Sequence, residues 1–138
     1  MPRSYHNIHP ARLPDELDAA RRAEVVPVEA TGDTLGEVAA QGSRMIYAVA
    51  DDRLLVSPRE AMGEHISHAV LVDGGPVWAA GEFEAVSVDG AIEIVALNNL
   101  SGHYRPGSES LTIARATFEA RGATVRAEGV RNWGLGGS

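Results

Sequence analysis

Apolar residues in this chain fall into short runs divided by turn-forming pairs, and this pattern sets the expected fold. Met45-Ile46-Tyr47-Ala48-Val49 and Arg53-Leu54-Leu55-Val56 flank Asp51-Asp52. His68 to Val72 and Val77 to Val86 flank Gly74-Gly75, and Ala91 to Leu97 follows Asp89-Gly90. Such spacings predict three successive hairpins, the Asp-Gly pair being a strong type I′ signal. Hairpin connections imply antiparallel strands. Ala91 to Leu97 is apolar on both alternating faces, as in a central strand.

Helical spacing appears at both ends. From Ser108 to Arg121, Leu111, Ala114 and Phe118 share one stripe, with Ile113 and Thr117 beside it. Ser108 is a suitable N-cap and Gly122 a suitable stop. Pro14-Asp15-Glu16-Leu17 opens a shorter helix to about Ala23, its acids in the first turn where the helix dipole favours them. Val25 to Val28 holds Pro27 and reads as an edge strand. Thr34 to Gln41 is one or two helical turns ended by Gly42, and Thr124 to Ala127 a last strand. Residues 1–14 read as an extended arm and 134–138 as a loose tail. The fold class expected is α+β: a single domain over 1–138, its mainly antiparallel sheet packed by a short N-terminal and a longer C-terminal helix.

Composition narrows the function classes. The 138 residues are 44% hydrophobic and only 5% aromatic, so the core is expected to be mostly Val, Ala, Leu and Ile. A net charge of -7 speaks against nucleic acid and anionic membrane as partners. No apolar run approaches the length of a membrane span, and the first residues lack a secretory pattern, which leaves a cytoplasmic expectation. Cysteine is absent, removing thiolate chemistry, disulfides and Cys-type zinc sites. All 12 cationic side chains are arginine. No cofactor is called for.

The densest chemistry is Ser101-Gly102-His103-Tyr104-Arg105-Pro106. It puts a hydroxyl, a titratable ring, a phenol and a guanidinium on one loop between flexible Gly102 and stiff Pro106. Upstream lie His68 to Val72, Gly74-Gly75-Pro76-Val77 and Ala79-Ala80-Gly81-Glu82; downstream lie Glu109 and Leu111. This ordered series, over about residues 65–122, resembles a domain shared by some bacterial effector and polymorphic-toxin proteins and by plant calmodulin-binding proteins of the IQM type. There a His-Ser-Ser-apolar segment and an Ala-Gly-Glu strand precede a Ser-Gly-His-Tyr-(Arg/Lys)-Pro loop. Ala69 and Val70 stand where that family tends to have serine, with Ser67 the nearby hydroxyl. The resemblance implies an effector-like domain, some relatives of which look like nucleotidyl-transferring enzymes.

The side chains admit two readings. In the first, His103 is a general acid or base. Ser101, on the same face of an extended segment, and Glu109 orient it, Arg105 grips a phosphate or carboxylate, and Glu82 and His68, on paired strands of one hairpin, line the opposite wall. Ser101 and His103 are expected to line the main concavity with Glu82 across it; Tyr104 is a further candidate for the substrate-binding set, against the plainer reading of a core or rim ring. The chain is then a small enzyme performing group transfer or hydrolysis on a nucleotide-like or other anionic small molecule. In the second, it is a non-catalytic ligand- or protein-binding module, and the loop is a latch whose histidine bonds backbone groups. A homodimer is compatible with either. His65, His68 and His103 do not have metal-ligand spacing.

Overall fold

The computed structural model describes residues 2–42 and 44–133. The sequence expectation of a loose tail at 134–138 lies outside them. The elements are α1 (Leu13–Arg22), β1 (Val28–Glu29), α2 (Gly32–Gln41), β2 (Met45–Ala50), β3 (Arg53–Pro58), β4 (Glu60–Ala61), β5 (Glu64–His65), α3 (His68–Leu71), β6 (Ala79–Val88), β7 (Ala91–Asn98), α4 (Ser110–Ala120), β8 (Thr124–Val125) and β9 (Val130–Arg131). Among the described residues the main sheet runs β1-β3-β2-β6-β7-β8, with β9 also paired to β7. The fold is α+β. Pairing is antiparallel from β1 to β7, whereas β8 and β9 run parallel to β7.

Two hairpins form where the turn chemistry demands them. Asp51 and Asp52 adopt φ of 49° and 66°, and Asp89 and Gly90 φ of 50° and 82°, the left-handed pairs of type I′ turns. The expected third hairpin is absent. His68 to Val72 is not a strand; His68–Leu71 forms a short helix, and Gly74 N donates to Ala69 O at 2.8 Å across its end. The four helical residues are all buried, so no polar alternation marked their conformation. Val77 pairs instead with Tyr5 of the N-terminal arm, and β6 begins at Ala79.

Both faces of the sheet are covered. On one, α2 and α4 bury Leu35, Val38, Tyr47, Val49, Phe83 and Phe118. On the other, α1, α3 and the arm bury Ile46, Ala48, Leu55, Val70, Val77 and Tyr104. This is why β2 reads as an unbroken apolar run although its neighbours are antiparallel. Leu111, Ala114 and Phe118 face the core, as their spacing predicts. Ser108 does not cap α4; the chain is already turning there, with Ser110 N bonded to Gly107 O and Leu111 N to Ser108 O, and Glu109 holds the cap position without a side-chain bond. The arm is extended only at first, then tightens into a 3₁₀ turn at Pro10–Arg12. The edge strand is confined to Val28 and Glu29, and Val26 is solvent-exposed.

The β6–β7 register shifts between Glu84 and Ala85, and the two chains come close at Gly81. A Cβ on Gly81 would lie 1.9 Å from Asn98 O, so only glycine fits. Asn98 Oδ1 accepts from Glu82 N (2.9 Å) and from Leu100 N (3.0 Å). This side chain closes β7 and directs the chain into the Ser101–Pro106 loop.

Candidate functional site

A cleft of about 170 Å³ lies where that loop meets β6 and the start of α3. Ile46, His65, Ile66, Ser67, His68, Glu82, Leu100, Ser101, Gly102 and His103 line it. The structure thus brings together His103, Ser101, Glu82 and His68. The cleft is not the main concavity expected: a groove of about 470 Å³ lined by Leu17, Val25, Val26 and Pro27 is larger. That groove is mostly hydrocarbon, so size and chemistry separate.

His103 Nε2 lies 2.5 Å from Glu16 Oε2, a carboxylate carried by α1. Both side chains are more than four-fifths buried. Glu16 Oε1 is also buried and has no hydrogen-bond partner among the described residues. His103 O accepts from Ile8 N at 2.8 Å, and the His9 ring packs edge-on against the His103 ring with centroids 5.3 Å apart. The ring is therefore oriented by a carboxylate and a second imidazole, while the backbone bond fixes only the loop.

The loop itself is tightly tied. Ser101 O accepts from Arg105 N (2.8 Å), Ser101 Oγ from Tyr104 N (3.3 Å), and Tyr104 Oη donates to Gly75 O (2.7 Å). Tyr104 is a core ring whose phenol is pushed up to about 12 by burial and by the Glu16 charge. Because the loop turns rather than extends, Ser101 and His103 share the cleft by curvature, not by strand alternation.

His68 sits on α3, not on a strand paired with Glu82. Its Nε2 bonds Gly81 O at 2.8 Å, and burial pushes its pKa down to about 4. A neutral ring donating from Nε2 satisfies that contact. Glu82 faces inward but is engaged: Arg44 Nη1, Arg59 Nη1 and Asn98 Nδ2 each lie 3.3 Å from its carboxylate. Glu84 is the second acid of Arg44, at 2.9 Å.

Tyr104, as a core ring, lies outside the cleft lining, and so do two further sequence candidates. Glu109 accepts from Tyr5 Oη and pairs with Arg3 at 3.7 Å, and the Tyr5 hydrogen bond holds its carboxyl below the usual range. It does not orient His103; Glu16 occupies that role. Arg105 is exposed, with φ of 46°, and makes no ion pair among the described residues. Sequence reasoning did not link Glu16 to His103. The available signal was position: Glu16 lies three residues after Leu13 and four before Ala20, on the buried stripe of α1.

Ser67 Oγ is buried beside His68 and lacks a partner among the described residues. No group of three or more His, Asp or Glu side chains among those residues is arranged to hold a metal ion, and no helix among them is long and apolar enough to cross a membrane. No family model, curated protein or solved structure matches this chain.

Proposed function

We propose that the chain is a small enzyme in which His103, oriented by Glu16, is the acid–base group of the cleft. It acts by group transfer or hydrolysis on a nucleotide-like or other small anionic molecule. The observation that carries this reading is the Glu16–His103 contact at the edge of a polar cleft. A carboxylate that fixes the imidazole and stabilises its charged form is the usual support for a histidine that takes and returns a proton. Ser101 and Ser67 supply hydroxyls to the same space. Glu82, held between two guanidinium groups, is a wall and not a proton carrier. The resemblance of the Ser101–Pro106 string to effector domains favours a nucleotide-like substrate.

One set of observations favours a non-catalytic binding module. Ile8 N to His103 O, Tyr104 N to Ser101 Oγ and Tyr104 Oη to Gly75 O together tie arm, loop and the end of α3. In that reading the loop is a latch. A thermal-shift screen of nucleotides and phosphorylated metabolites begins the test; a ligand at 100 times its dissociation constant adds about 2.7 kcal/mol. Turnover of each hit is then measured. His103→Ala is expected to lower kcat by at least ~100-fold with the melting temperature little changed. A variant that melts earlier yet still binds, from a parent that turns nothing over, establishes the latch instead.

A further inference from the structure

We propose that His9, Arg12 and Arg105 form a binding site for a phosphoryl group, beside His103 on the side of the N-terminal arm. Of the 12 arginines, eight pair with carboxylates. Arg121 donates to Asp52 O, and Arg131 to Glu128 O and Val130 O. Arg12 and Arg105 alone among the described residues hold neither an acid nor a carbonyl through their guanidinium groups. Acids are not scarce, since the chain has 19 of them. Arginine left unpaired on an acidic protein is a donor set kept available for something else.

Both unpaired arginines act electrostatically on His9, and their segments are tied to one another. Arg12 closes the 3₁₀ turn that starts at His9, its N donating to His9 O at 3.0 Å. Arg105 follows His103 by two residues, and the His103 ring lies against that of His9. Ile8 N to His103 O staples the two segments together. Arg105 takes a left-handed backbone conformation, unfavourable for a residue with a Cβ, and Ser101 O holds it there. Asn7, whose Oδ1 accepts from His9 N, leaves its buried Nδ2 without a partner. The electrostatics agree. After desolvation, the charges of Arg12, His103 and Arg105 push the pKa of His9 down, and only Glu16 opposes them.

The ligand class follows from the donors. One guanidinium fork satisfies a planar carboxylate, whereas two forks, an imidazole and an amide suit a tetrahedral dianion that accepts from several directions. The inference deepens the catalytic reading, because the phosphoryl group would belong to the substrate of His103, but binding is measured without turnover. The imidazole resonances of His9 in the full chain are followed by NMR while inorganic phosphate is added at constant ionic strength. A saturable shift is expected, with the His9 titration midpoint moving upward. Arg12→Gln and Arg105→Gln should each weaken the dissociation constant at least ~10-fold. An absent shift, an equal response to chloride, equal affinity for acetate, or arginine variants that bind like the parent would overturn the site. Loss of turnover in His103→Gln without any phosphate response in the parent refutes this inference and leaves the catalytic reading standing. Phosphate binding without turnover of any substrate does the reverse.

Discussion

His68 illustrates how one buried side chain shapes the response to acid. The unfolded chain takes up a proton there near pH ~6.5, whereas the folded chain resists until about pH 4. Between those values the unfolded state binds more protons, so this contribution to stability is fully present above the upper value and is lost as pH falls toward the lower one. The difference is on the order of 3 kcal/mol. Thermal melts from pH 7 to 4.5 should therefore fall more steeply for the parent than for His68→Asn; parallel slopes would contradict the burial. At the same scale, the proposed catalytic reading requires Glu16→Gln to reduce kcat less than His103→Ala does, about 10-fold, because orientation is partly kept while the charge is lost. A Glu16→Gln variant with unchanged kcat and pH profile would remove Glu16 from the proposed mechanism. His103, Ser101, Glu82 and His68 were visible in the sequence because unusual residue types stand close together or interrupt apolar runs. Glu16 was not, since its pairing with His103 spans 87 positions and no local pattern encodes such a contact.

At the level of elements, legibility followed local chemistry. Asp51-Asp52 and Asp89-Gly90 declare their turns because left-handed backbone needs particular residues. The stripe of α4 declares its face. His68–Leu71 declares nothing, because a short run buried on every side has no period. The parallel pairing of β8 and β9 was equally hidden, as strand direction is set by the path of α4 and not by composition. Phe118 sits 4.8 Å from the Phe83 ring and 5.5 Å from Tyr47. Phe118→Ala should cost about 3–5 kcal/mol in chemical denaturation, whereas a loss below ~1 kcal/mol would show a core able to collapse around the gap. Gly81→Ala should be more disruptive than its size implies, since the added methyl meets backbone, not a side chain that can swing away. It would also disturb the carbonyl that His68 holds, so the acid sensitivity described above should change with it.

On the scale of the molecule, the layer of α1, α3 and loop over one face of the sheet brings Glu16, Ser67, Glu82 and His103 together. The N-terminal arm that completes this layer is attached differently from everything around it. It meets the rest of the chain through the reciprocal Tyr5–Val77 bonds (2.7 and 2.9 Å), the Ile8 bond to the loop and a few side chains, whereas β2 is paired along both edges. Detaching the arm breaks few bonds, and separating β2 dismantles the sheet. Opening free energies should divide accordingly. In amide hydrogen exchange, Tyr5 and Ile8 should lose protection together at a small fraction of the global unfolding free energy, while Ala48 exchanges only when the whole domain unfolds. The loop histidine would then meet solvent through a fluctuation of the arm, and inorganic phosphate, by bridging arm and loop, should slow the exchange of Ile8 far more than that of Ala48.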